Sequence, residues 1–68
     1  MKAMKKTLYE VDTDKGVLKT MEGDEYFINP GDLPTCCTWI PTAELEIKKD
    51  RGIITCTNLE NGISIQLI

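Results

Sequence analysis

The chain has no histidine and few aromatics: Tyr9, Tyr26, Phe27 and Trp39 are the full set. Without histidine it lacks the side chain whose ordinary pKa sits nearest neutrality, so the usual nucleophile and base pairings cannot be assembled. Paired carboxylates would be the substitute. Glu44 and Glu46 stand two apart and share a strand face, but Lys48 follows on that same face, and nothing there sets the two apart as acid and base. Catalysis is therefore not expected. Long apolar runs are also missing, none approaching the roughly 18–20 residues that span a bilayer as a helix. The opening Met1-Lys2-Ala3-Met4-Lys5-Lys6 leads into alternating Thr7-Leu8-Tyr9-Glu10 rather than the apolar block of a signal peptide. These features lead us to expect a soluble, cytoplasmic protein.

Cysteines number three, an odd count with Cys36 and Cys37 adjacent, which is a poor basis for the disulfide framework of a small secreted domain. Reduced thiols are the expectation. The trio with Asp32 or Glu60 could in principle hold zinc, but structural sites take ligand pairs two to four residues apart, and neighbours on a strand point to opposite faces. No Cys-x-x-Cys spacing and no adjacent base suggests redox work either. A cysteine-liganded zinc protein is kept only as a distant alternative, and no cofactor is expected.

Positive charge is outweighed by negative, eight Lys and Arg against eleven Asp and Glu, for a net −3. No basic cluster marks a phosphate-binding face, so direct nucleic-acid binding is not expected. The acidity is local: residues 10–32 carry Glu10, Asp12, Asp14, Glu22, Asp24, Glu25 and Asp32 against Lys15 and Lys19, a net −5, while the rest is +2. Asp12-Thr13-Asp14-Lys15-Gly16 begins like a calcium loop. Its glycine comes one position early, a lysine sits inside it, and no glutamate closes it, so a solvated turn is the simpler reading.

What the chain does have is two-residue alternation between turn formers, in a length of 68 residues that suits one domain spanning 1–68. Thr7 to Val11 and Val17 to Met21 flank a turn ending in Gly16. Glu25 to Ile28 forms a short strand halted at Asn29-Pro30-Gly31. Leu45 and Ile47 alternate with Glu44, Glu46 and Lys48, then a turn at Gly52 leads into Ile53 to Thr57. Asn61-Gly62 turns the chain into Ile63, Ile65 and Leu67. A helix capped by Thr42 is the competing reading of 43–49, set aside because Leu45 and Ile47 keep period two. The fold class expected is mainly β, a small five- to six-stranded barrel or rolled antiparallel sheet built from hairpins. The turn Cys56-Thr57-Asn58-Leu59-Glu60-Asn61-Gly62 resembles those of SH3-like barrels, a likeness that implies a fold and no function.

Residues 29–43, with Pro30, Pro34 and Pro41, are expected to run extended, with a brief strand over 36–40. Trp39 within them is either a core keystone or, if exposed beside Tyr26, Leu33, Pro34 and Pro41, the anchor of a protein-binding patch. The functional expectation is a non-enzymatic protein-interaction module that uses loop 29–43 and an acidic hairpin surface carrying Asp12, Asp14, Asp24 and Glu25. The alternative is an acidic inhibitor occupying a nucleic-acid-binding surface of a host or phage enzyme. A homodimer formed through the last strand, which alternates Ile63, Ile65 and Leu67 with Ser64 and Gln66, is a further expectation.

Overall fold

The computed structural model describes residues 2–68. Six strands, β1 (Lys2–Asp12), β2 (Val17–Thr20), β3 (Glu25–Phe27), β4 (Glu44–Asp50), β5 (Ile53–Asn58) and β6 (Ile63–Leu67), form one antiparallel sheet in the order β3-β2-β1-β4-β5-β6. The chain thus builds two meanders of three strands, joined through β1 and β4.

β1 begins well before the Thr7 suggested by alternation, because its first half has a partner of its own. Lys2 through Thr7 pair with β4, while Leu8 through Asp12 pair with β2. The change of register between Leu8 and Glu10 inserts Tyr9 as a bulge, which bends the strand and increases its twist. This bend lets one strand serve both meanders and rolls the sheet into a curled half-barrel. The two outer strands then meet at one corner, where Ile28 bridges Leu67, Ile68 N–H donates to Phe27 O at 2.7 Å and Asn29 N–H donates to Gln66 O at 3.0 Å.

Turn chemistry fixes the hairpins. Arg51 and Gly52 both take positive φ, 54° and 82°, as a two-residue turn matched to strand twist requires. Asp12 Oδ1 accepts the amides of Asp14 and Lys15 at 3.1 Å each, closing the β1–β2 turn, and Asn58 Oδ1 accepts Glu60 N–H at 2.8 Å to start the last one.

The concave face holds the core: Leu8, Leu18, Ile28, Leu45, Ile47, Cys56, Ile65 and Leu67 pack with Cys36, Trp39 and Ala43. The last three come from residues 29–43, which therefore plug the half-barrel. That segment is not extended as expected. Asn29 Oδ1 accepts Gly31 N–H at 3.0 Å, Pro30 occupies the first turn of a 3-10 helix (Pro30–Asp32), and a four-residue helix α1 (Leu33–Cys36) follows with Pro34 in its first turn. Proline suits such a position because its fixed φ is helical and its missing N–H has no partner to lose there. The anticipated strand over 36–40 is absent because α1 turns Cys36 and then Trp39 inward, with Trp39 N–H on Cys36 O at 3.0 Å.

The segment ends under strain. Thr42 has φ 73°, a left-handed conformation that a β-branched residue adopts at a cost, held by Thr42 N–H on Leu8 O (2.8 Å) and Leu8 N–H on Ala43 O (2.9 Å). Thr42→Gly keeps the N–H and removes roughly 1–2 kcal/mol of left-handed strain, against about 0.5–1 kcal/mol of added chain entropy. Urea denaturation is expected to show it as stable as the wild type or up to about 1.5 kcal/mol more so.

Candidate functional site

A concavity lies where the β1–β2 turn faces the segment following β3. One part, about 400 Å³, is lined by Thr13, Asp14, Lys15, Gly16, Phe27, Ile28, Pro30, Leu33 and Ile68. A second part, about 380 Å³, is lined by Thr13, Pro30, Leu33, Pro34 and Cys37. Shared walls at Thr13, Pro30 and Leu33 make them one apolar groove. Period two explains its floor. Tyr26 pairs with Leu18 on the concave face, so Phe27, paired with Val17, must point outward, and it remains 63% exposed beside Ile68 at 71%.

The residues singled out from sequence are divided by the fold. Leu33, Pro34 and Asp14 line the groove, and Asp12 supports its turn. Trp39 does not form a surface patch with them. It is 7% exposed within the core, the keystone placement of the two expected for it. Tyr26 is half-buried against the core. Burial, followed by the nearby charge of Asp24, pushes its hydroxyl pKa up. Pro41 lines a separate 150 Å³ hollow with Ile40, Thr42, Ala43 and Glu60.

The four acidic residues do not form one surface. Asp12 and Asp14 lie at one end of β2, while Asp24 and Glu25 lie at the other, and four strand residues between them span about 13 Å. Asp24 is moreover engaged in structure. Its carboxylate sits 2.8 Å from Lys6 Nζ, accepts Thr20 Oγ1–H at 3.3 Å, and its N–H donates to Thr20 Oγ1 at 3.1 Å. The hydrogen bond from Lys6 holds the Asp24 carboxyl below its ordinary 3.8, and the same bond raises Lys6 above 10.5.

The signs of these shifts define a pH window. The depressed Asp24 contributes stability above pH 3.8 that is lost as pH falls through its folded value. Lys6 contributes below pH 10.5 and loses it as pH rises through its own. Asp24→Asn is expected to remove the acid-side component, so that its urea midpoint falls less than the wild type's between pH 5 and pH 2. An identical fall would contradict the pairing.

The thiols are free, with Cys36 and Cys56 fully buried and Cys37 exposed. Burial pushes Cys56 up to about 12 and raises Cys36 as well. Cys37 Sγ lies 3.1 Å from Pro34 O at the groove wall. Among the described residues no three His, Cys, Asp or Glu side chains gather as a ligand set. One thiol per chain is expected to react rapidly with a chromogenic disulfide at pH 8, and the other two only after denaturant is added. Three fast thiols would contradict the buried placement.

Phe27 and Ile68 were not apparent as site residues from the sequence, while Pro30 and Cys37 fall within the expected loop 29–43 without having been singled out. For Phe27 a signal existed, since two adjacent aromatics in a strand cannot both face the core. Compared with known protein families, curated proteins and solved structures, the chain matches none. Among the described residues no helix is long and apolar enough to cross a membrane.

Proposed function

We propose that the chain is a non-enzymatic protein-interaction module whose docking surface is the groove between the β1–β2 turn and the first half of loop 29–43. One observation carries this reading: Phe27 and Ile68 are exposed side by side on the floor of a continuous apolar groove, instead of being scattered singly over the surface. Aromatic side chains seated in concavities of this kind dominate binding energy at protein interfaces. The acidic contribution comes from Asp14 at the rim and Asp12 behind it, with the local negative field steering a partner of opposite sign.

Cys37 lies in the groove wall and is exposed, so it supplies the test. A photoactivatable cross-linker attached to Cys37 is expected to trap a discrete adduct in lysate of the source cell. The same label on Met21→Cys in a Cys37→Ser background, at a site that is exposed but outside the groove, is expected to trap none. Equal adducts from both positions would remove the groove from the reading.

A further inference from the structure

The sheet has two outer edges, and the fold treats them differently. On β6, both backbone groups of Gln66 are occupied: its O accepts Asn29 N–H at 3.0 Å and its N–H donates to Asp32 Oδ2 at 2.8 Å. That edge is blunted at Gln66, in part by a carboxylate, while the groups of Ser64, which turn the same way, take no hydrogen bond among the described residues. The edge of β3 is the more open of the two. Thr20 N–H donates to Asp24 O, and Ile28 N–H donates to Gly16 O, so even-numbered residues turn their backbone groups toward β2. Glu25 and Phe27 therefore turn theirs away from the sheet. Phe27 O takes Ile68 N–H, while Phe27 N–H and both groups of Glu25 take no hydrogen bond among the described residues.

Register tells what would fit there. Ile28 bridges Leu67 antiparallel and Phe27 lies opposite Ile68, so the next positions along that line face Tyr26 and then Glu25. A residue facing Tyr26 would point to the concave side, and one facing Glu25 to the convex side. On the convex side Glu10 opposes Lys19, and Lys19 opposes Glu25, a row of alternating charge that ends on a carboxylate. The row is completed by a cation.

We propose that the free edge of β3 accepts an extended segment of another protein, antiparallel to β3, with an apolar side chain against Tyr26 and a lysine or arginine opposite Glu25. This rests on the interaction-module reading and supplies the chemistry of the partner. The segment enters beside Ile68, so groove and edge form one continuous surface through Phe27 and Ile68. A second copy is the poorer occupant, because self-pairing would bring together two chains of net charge −3 at their Glu22, Asp24 and Glu25 corners.

The test uses the whole chain labelled with nitrogen-15 and three acetylated, amidated peptides: Val-Arg-Val-Arg-Val, Val-Glu-Val-Glu-Val, and the arginine peptide N-methylated at alternate residues. The arginine peptide is expected to shift the amides of residues 25–27. The glutamate peptide should bind roughly two- to fivefold more weakly for each charge opposed, and Glu25→Lys should reverse that preference. N-methylation, which removes the backbone donors and leaves the side chains, should abolish the shifts at 25–27. Equal binding by the methylated peptide overturns the edge proposal, as does no binding at millimolar concentration. Shifts confined to residues 13–16, 33 and 37 also overturn it and leave the groove standing. Failure of the Cys37 cross-link together with intact edge binding removes the groove alone.

Discussion

Trp39→Ala is expected to be largely unfolded at 37 °C. The indole is 7% exposed and belongs to the core cluster, where it and Cys36 close the half-barrel from the side that the sheet leaves open. Truncating a buried tryptophan to alanine costs about 3–5 kcal/mol, because the cavity adds to the lost transfer energy. A chain of this length has roughly 3–10 kcal/mol of total stability, so one substitution removes a large part of it. Trp39→Phe should behave differently. Trp39 Nε1 is buried without a hydrogen-bond partner among the described residues, an arrangement that costs about 1–3 kcal/mol. Phenylalanine removes that donor, which offsets much of the lost volume, and its melting temperature should stay close to the wild type's. Circular dichroism of both variants on heating checks the pair. A folded Trp39→Ala would place the indole outside the core.

Phe27→Asp is expected to do the opposite: leave the fold intact and end partner binding. The ring is 63% exposed, and on the convex face Asp12 opposes Val17, which opposes Phe27, so the new carboxylate stays in solvent in the free protein. In a complex the aspartate would have to be desolvated on an apolar floor. The loss of a central aromatic anchor costs 2 kcal/mol or more at typical interfaces, about thirtyfold in affinity. The Cys37 adduct should therefore fall at least tenfold while the melting temperature moves by only a few degrees. Undiminished cross-linking would show that the partner contacts another face.

The strands were legible in the sequence wherever one face is wet and the other dry. Leu45, Ile47, Cys56, Ile65 and Leu67 keep period two and are buried as that pattern requires, and Gly52 and Gly62 sit in the turns at positive φ. The first half of β1 was not legible. Its pairing with β4 is a contact across some forty residues, and local pattern carries no trace of it. The proline-rich segment was misread for a related reason. Pre-proline bias favours extended backbone, yet Leu33 is helical at φ −58° and ψ −44° because burying Cys36 and Trp39 repays that local preference. The site was only half visible. Leu33, Pro34, Asp12 and Asp14 were found by composition, whereas Phe27 and Ile68 belong to the site only because the two edges of the rolled sheet meet there.

The most direct measurement is an amide chemical-shift map of the nitrogen-15-labelled chain titrated with the protein trapped by Cys37. The expected shifts fall on residues 13–16, 25–27, 33 and 37 and spare the outer face on the far side of the sheet, at Lys5 of β1 and Glu46, Thr57 and Ser64 of the other meander. Shifts centred on that outer face, with residues 13–16 and 27 unmoved, would contradict the claim that the partner docks where the two edges of the sheet meet.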